Sequence, residues 1–247
     1  MNIQSTPAPR ERGFDTFETT VEIAQLVTAR NIHLRFKMPE GKLFKFKAGQ
    51  FVQMFIPQPD KPRRTSYSIA SAPQHMDYFE LCVTWVDGGK SSTYLHNLKV
   101  GDKITAMGPL GKFVQADPLP RDVVFIATGS GIAPFRSMIL DQLSRNTPRK
   151  LNLLYGNRHD QDIIYKKDWE QLALDNANFR ALFTLSRPSE QWTGAKGYVQ
   201  DKIDSFIQHP PDHDFYICGL SPMINAVQEK LIALGVPTSQ IHFEKFD

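Results

Sequence analysis

Cysteine is scarce in this chain: only Cys82 and Cys218 occur among 247 residues, and they form no CxxC pair. A thiolate-bound iron–sulfur cluster needs about four such ligands, so a metal-based one-electron carrier has to sit on another protein. Long apolar runs are also missing. No stretch of about 18 apolar residues is present, and residues 1–14 are polar and proline-bearing with no secretory core, so a soluble, cytoplasmic protein without integral membrane association is expected. The seven histidines show no close ligand pairing, since His209 and His213 fall in a Pro- and Asp-rich loop, and no metal site is assigned. No internal repeat is visible. What the chain does have is 41% hydrophobic residues, enough to bury a sizeable core and, at this length, to build two small domains.

The net charge of +3 is divided unevenly. Residues 1–115 carry 15 Lys and Arg against 10 Asp and Glu, whereas residues 116–247 carry 14 against 16. A basic first half attracts acidic partners. Without a basic stripe interleaved with aromatics, a nucleic acid is a poor candidate and an acidic protein a better one.

Short β-rich pieces separated by turn signals fill the first half: Thr19 to Thr28, Ile32 to Phe36, Phe51 to Ile56, Thr65 to Ala70, Tyr78 to Val86 and Lys103 to Met107. This spacing predicts an antiparallel β-barrel, interrupted by one short helix over Ser91 to Leu98. From Arg121 strands and helices alternate. Strands are expected at Asp122 to Thr128, Leu151 to Tyr155, Phe179 to Leu185, Asp214 to Cys218 and Ile241 to Phe246, with helices to Ser144, over Lys166 to Asp175, Val199 to Ile207 and Pro222 to Leu234. Such alternation predicts an α/β domain with a parallel five-stranded sheet covered on both faces. The expected division is a flexible tail over 1–14, a barrel domain over 15–116 and an α/β domain over 121–247, joined at Asp117-Pro118-Leu119-Pro120.

Several segments carry chemistry. Thr128-Gly129-Ser130-Gly131-Ile132-Ala133-Pro134 follows a strand and opens a helix. Glycines let the backbone come close to a phosphate, and the free N–H groups of the helix start favour an anion. The commonest dinucleotide fingerprint would place a third glycine where Pro134 stands, a residue suited to a first helical turn. In Arg63-Arg64-Thr65-Ser66-Tyr67-Ser68-Ile69, an aromatic ring able to cover a heterocycle and a hydroxyl able to bond a ring nitrogen follow two arginines able to fork onto phosphate. Gly89-Lys90-Ser91-Ser92-Thr93 places hydroxyls and backbone donors at a helix start, a second anion site. Gly108-Pro109-Leu110-Gly111-Lys112-Phe113 reads as a turn.

Together and in this order, from about Thr19 to Phe246, these pieces resemble the ferredoxin–NADP(+) reductase family of flavoproteins. The resemblance rests on Tyr67-Ser68, Gly89 to Leu95, Gly108-Pro-x-Gly-x-Phe113, Thr128-Gly-x-Gly-x-x-Pro134, Tyr155-Gly156-Asn157-Arg158 and Cys218-Gly219-x-x-x-Met223. It implies that the barrel binds FAD and the α/β domain NADP(H). Tyr67, Ser68 and Ile69 would meet the flavin, with Ser68 near its N5, and Gly89, Lys90, Ser91, Ser92 and Thr93 would meet the pyrophosphate. Family members usually carry Arg two residues before the stacking Tyr, where this chain has Thr65. Arg64 is the residue expected to reach the phosphate, although it falls on the opposite strand face unless a bulge intervenes; Arg63 is in phase but further away.

For the second cofactor, the resemblance assigns Thr128, Gly129, Gly131, Pro134, Asn157, Arg158, Cys218, Gly219 and Met223. Ser186-Arg187 and Lys196-x-Tyr198 match units that clasp the 2′-phosphate in NADP-selective members. An NAD-selective member more often offers an acidic residue to the ribose, and none stands at Ser186 or Arg187. Cys218 would lie beside the nicotinamide C4, and Glu244 would handle protons nearby, making Ser68, Cys218 and Glu244 the catalytic set. Phe246 takes the place of a terminal tyrosine and would stack on the flavin, or leave that face open if the chain end bends away. The implied activity passes a hydride from NADPH to FAD and then single electrons to a separate acidic carrier, ferredoxin or flavodoxin, steered by Lys42, Lys45 and Lys47. A monomer is expected. The alternatives are the reductase component of a multicomponent oxygenase, a free flavin or ferric reductase, and, outside enzymes, a nucleotide-sensing interaction module.

Overall fold

Six strands make the first sheet of the computed structural model, which describes residues 15–246. The tail expected over 1–14, together with Asp247, lies outside the described residues. The strands are β1 (Thr16–Thr28), β2 (Asn31–Lys37), β3 (Phe51–Ile56), β4 (Arg63–Ser68), β5 (Tyr78–Thr84) and β6 (Lys103–Leu110), all antiparallel in the order β4-β3-β6-β1-β2-β5. The two ends of the sheet approach each other where Ile69 bridges Leu81. Alternation sets the inside: Val52, Met54 and Ile56 of β3 are fully buried while the residues between them are half-buried. Phe17, Phe36 and Phe44 surround the Phe79 ring at 5.2 to 6.2 Å, and Leu95 of α1 (Lys90–His96) completes this core.

Gly108, Pro109 and Leu110 do not form the expected turn; they extend β6. The ladder to β3 jumps from Phe51 opposite Leu110 to Gln53 opposite Met107, so Gly108 and Pro109 together face Val52 as a bulge. A bulge tolerates a residue that cannot donate to the ladder, and Gly108 provides room, since a Cβ there would lie 3.0 Å from Val52 Cγ1.

The second sheet is parallel. It contains β7 (Asp122–Thr128), β8 (Leu151–Asn157), β9 (Phe179–Leu185), β10 (Ala195–Lys196), β11 (His213–Gly219) and β12 (Ile241–Lys245), in the order β10-β9-β8-β7-β11-β12. The expected five strands are present, and the two-residue β10 adds a sixth at the edge beside Thr184 and Leu185. Helices α2 (Ile132–Ser144) and α3 (Lys166–Asp175) cover one face through Phe135, Met138 and Trp169; α5 (Ser221–Ala233) covers the other through Ile224, Val227 and Leu231. The helix expected over Val199 to Ile207 is divided into a 3-10 segment, Val199–Lys202, and the single turn α4 (Ile203–Phe206). After β7 the chain winds outward through β8 and β9 and then returns to place β11 on β7's other side. Crossovers depart in opposite directions from β7 and β11, opening a crevice at their carboxyl ends, where ligands of doubly wound sheets bind.

The two halves share buried surface. Ala48, Ala70 and Cys82 from the first belong to one apolar cluster with Phe135, Met138 and Tyr165 of the second. The approach is tight at Gly49, where a Cβ would fall 2.3 Å from Met138 Cε.

Candidate functional site

The glycine turn sits in the crevice between β7 and β11. Gly129 takes φ +53° with open space where a Cβ would be, so its need is conformational. Gly131 has the opposite reason: a Cβ there would lie 2.3 Å from the carbonyl oxygen of Cys218. The turn is a 3-10 segment leading directly into α2, whose first turn holds Pro134 and no acidic residue. The Tyr155 hydroxyl donates to the Gly129 carbonyl at 2.8 Å and fixes the turn against β8. At the end of β8, Asn157 Nδ2 is buried beside the Tyr155 hydroxyl and meets hydrogen-bond geometry with no partner among the described residues. A buried orphan donor beside an open glycine turn fits a ligand carrying phosphate and carbonyl acceptors.

Ser68, Cys218 and Glu244 come together from the two halves. Cys218 and Glu244 are register partners in the parallel β11–β12 ladder, and the Ser68 hydroxyl donates to Glu244 Oε2 at 3.5 Å. Burial pushes the Glu244 carboxyl up to about 7, against the opposing hydrogen bond from Ser68. Burial, reinforced by the Glu244 charge, raises the Cys218 thiol well above its ordinary range, so it stays a neutral, compact neighbour and not a thiolate. Gly219 passes the chain end onward, since its carbonyl accepts from the Phe246 N–H at 3.0 Å, and Phe246 packs half-buried against the cluster shared by the halves. Met223 lies in the first turn of α5 against Gly219.

On the barrel side, β4 pairs with β3 without a register shift, so no bulge changes its phase. Tyr67, Thr65 and Arg63 therefore share one face, and Arg64 lies on the other, its guanidinium 5.0 Å over the Phe55 ring. Burial pushes the Tyr67 phenol up to about 12, and the nearby Arg63 charge opposes that. Thr65 Oγ1 and Ser91 Oγ meet at 2.7 Å, tying β4 to the start of α1. Ser92 is committed locally: its oxygen accepts from the Val86 N–H at 3.1 Å and its hydroxyl serves the Val86 and Gly89 carbonyls. Gly89, Lys90 and Thr93 frame the same corner, and Ile69 is buried where the sheet ends meet. A half-buried ring followed by a serine, with hydroxyls and a cation at the other end of the strand, suits a flat heterocycle joined to a pyrophosphate.

Beyond the glycine turn, the loops after β8 and β9 run side by side. Ser186 N–H donates to the Asn157 carbonyl at 3.1 Å, and Arg187 N–H to the Arg158 carbonyl at 2.8 Å. The short β10 brings the other unit alongside: Lys196 pairs with Leu185, Gly197 N–H donates to the Leu185 carbonyl at 2.8 Å, and Thr184 Oγ1 donates to the Gly197 carbonyl at 2.9 Å. Ser186, Arg187, Lys196 and Tyr198 thus converge at one corner, with Arg158 adjoining. Arg158, Arg187, Lys196 and Tyr198 are exposed, and among the described residues no carboxylate pairs with any of the three cations. Three exposed cations at one sheet corner, without a carboxylate partner among the described residues, suit an anion.

A polar group between the halves escaped the sequence reading: Glu80, Arg35, Arg136, His33 and Tyr165. One signal was available, a carboxylate inside the apolar run Phe79-Glu80-Leu81-Cys82-Val83.

Residues 18–115 match the family model of the oxidoreductase FAD-binding domain, and residues 125–229 that of the oxidoreductase NAD-binding domain. The chain is 38% identical over 237 residues to ferredoxin–NADP reductase B of Sorangium cellulosum, covering 91% of this chain and 97% of that protein. It is 33% identical over 223 residues to the reductase component of a phenol 2-monooxygenase from a Pseudomonas strain, covering 89% of this chain but 62% of that protein. Among solved structures, a ferredoxin NADP+ reductase from Neisseria gonorrhoeae with bound FAD and NADP superposes with a TM-score of 0.80 at 22% identity, over 93% of this chain and 97% of that one. Two matched domains in this order, with 38% identity to a reductase of similar length, make the chain a member of the ferredoxin–NADP(+) reductase family, an FAD-dependent NAD(P)H oxidoreductase.

Proposed function

We propose that this protein exchanges electrons between NADPH and a separate acidic carrier protein, a ferredoxin or flavodoxin. The observation that carries the proposal is the convergence of Ser68, Cys218 and Glu244 from β4, β11 and β12 at the boundary of the two domains. Bound FAD supplies the ability to take two electrons from a nicotinamide and release them singly. The chain supplies the rest. Tyr67 covers the flavin ring, Ser68 hydrogen-bonds near its N5, and Arg63, which shares the Tyr67 face, replaces Arg64 as the cation placed for the FAD phosphate. Gly129, Gly131 and Pro134 receive the nucleotide pyrophosphate, and Asn157 offers its orphan N–H. Cys218, neutral and buried, limits how the nicotinamide lies in the crevice. Glu244, near 7, holds or releases a proton close to neutral pH.

NADP over NAD is favoured by Arg187 and Lys196, uncommitted and adjacent to Ser186 and Tyr198, where a 2′-phosphate would accept several charge-assisted hydrogen bonds. An acidic carrier is favoured by Lys45 and Lys47, which point outward as Phe44 and Phe46 pack inward; Lys42 is committed in part to the Phe17 ring at 5.0 Å. The likeness to a monooxygenase reductase component favours a second reading, an oxygenase as acceptor, but this chain spans under two-thirds of that protein.

The test is steady-state turnover with ferredoxin, flavodoxin and a monooxygenase component as competing acceptors, each repeated over a range of ionic strength. The proposal expects an acidic carrier to be preferred and its rate to fall steeply with salt. Salt-independent turnover would remove the charge-steering argument.

A further inference from the structure

Glu80 is a buried carboxylate outside the set of residues proposed above for the two cofactors. It lies within β5 between Phe79 and Leu81, 4% exposed, where an unpaired charge would be costly. Arg35 of the neighbouring β2 donates from Nε and Nη2 to its Oε1 at 2.9 and 2.7 Å, and Arg136 of α2 donates from Nη1 to its Oε2 at 2.7 Å. His33 Nε2 stands 3.4 Å from Oε1, while His33 Nδ1 meets the Tyr165 hydroxyl at 2.8 Å. Burial by itself would raise the Glu80 carboxyl, but His33 and Arg136 outweigh it and hold the group well below the usual carboxylate range. The carboxylate is ionised and satisfied.

Arg136 does more than neutralise it. The same Nη1 donates to the carbonyl of Ala70 at 2.9 Å, and Ala70 is two residues beyond Ser68 on the chain leaving β4. The guanidinium also stands 4.8 Å from the centroid of the Tyr165 ring. At its own end, Arg136 lies in α2, two residues past Pro134 and one turn from the glycine segment. A single planar cation therefore joins the strand that carries Ser68 to the helix that carries the dinucleotide turn. The Ser68–Glu244 contact crosses the same boundary at 3.5 Å and is too long to fix the separation alone.

We propose that Arg136 is a positioning residue for the electron exchange: by holding Ala70 and Glu80 against α2, it sets the distance between the nicotinamide end of the crevice and the flavin strand. This role rests on the placement of FAD and nucleotide proposed above. A bond that sets a donor–acceptor distance affects the rate of reduction and not the affinity for either cofactor, and displacement of about 1 Å can cost on the order of a hundredfold in rate.

The experiment is anaerobic stopped-flow reduction of the FAD-loaded native protein, R136M and R136K by saturating NADPH, with nucleotide Kd measured separately. R136M should keep FAD and a nucleotide Kd within about twofold of native, but reduce at least about tenfold more slowly, with a weakened flavin–nicotinamide charge-transfer absorbance. R136K should fall between, since an ammonium can donate to both Glu80 and Ala70 but ends one atom short of Nη1 and has no planar face for the Tyr165 ring. Reduction of R136M within about twofold of the native rate would overturn the proposal. Loss of FAD from both variants would overturn it too, by making Arg136 a residue of fold maintenance. Native protein reduced by neither NADPH nor NADH would instead remove the placement of the cofactors on which the role depends.

Discussion

In the parallel sheet the glycine turn of the crevice is made of backbone, whereas in the antiparallel sheet the facing strand edge is made of side chains. The crevice between β7 and β11 owes its shape to Gly129 and Gly131, to the α2 start and to the carbonyl of Cys218. The barrel edge instead presents Arg63, Thr65, Tyr67 and Ser68 from β4, with Ser91 opposite. Backbone sites leave a spacing of glycines that tolerates little variation, and side-chain sites leave only a phase along a strand. The two halves should therefore respond differently to substitution: abruptly in the crevice and by degrees at the barrel edge.

The largest effect is expected at Gly131. Alanine there would meet the Cys218 carbonyl at 2.3 Å, and neither backbone can retreat without disturbing the β7–β11 ladder. Overpacking of this kind costs about 1–3 kcal/mol or more, so G131A should show a lowered Tm and little reduction by NADPH while still binding FAD. Unchanged Tm and reduction rate would show that the turn is not packed this way.

Next comes Arg187. Loss of a charge-assisted contact is worth about 1.5–3 kcal/mol, so R187A should raise KM for NADPH by roughly tenfold to a hundredfold and leave KM for NADH nearly unaltered. Equal changes for both nucleotides would remove the preference for the 2′-phosphate.

At the barrel edge the comparison is between adjacent arginines. R63A should weaken FAD retention by roughly tenfold in a fluorescence titration, and R64A should have little effect, because only Arg63 shares the Tyr67 face. The reverse order would return Arg64 to the role expected from sequence.

The smallest expected effect concerns pH. Glu244 holds its proton more tightly in the fold than its ordinary value of 4.5, near 7, so the stability this group contributes is complete below about 4.5 and is lost as pH rises through about 7. The E244Q protein should consequently gain Tm relative to native between those values, followed by thermal melts at several pH values. A difference independent of pH would mean that Glu244 titrates normally.

Much of this arrangement is legible in the sequence because it depends on local chemistry. The glycines and Pro134 report a turn and a helix start, and the strand-and-helix alternation after Arg121 reports the parallel sheet. The phase argument at Arg63 and Arg64 could also be made, although choosing between reach and phase required the unshifted β3–β4 ladder. Other features depend on distant partners. Gly108-Pro109 has turn chemistry, but opposite Val52 it becomes a bulge within β6. The two residues of β10 are a strand only because the edge of β9 was free to pair. The Glu80–Arg136 contact joins residues 56 apart in sequence and on different domains, so no periodicity could have paired them.

If the two domains form one path from nicotinamide to flavin to an external carrier, anaerobic spectroscopic titration follows each step of it. FAD-loaded protein should be yellow, lose its flavin absorbance on addition of NADPH, and then reduce added ferredoxin or flavodoxin. Protein that retains FAD but is reduced by neither NADPH nor NADH would contradict this path.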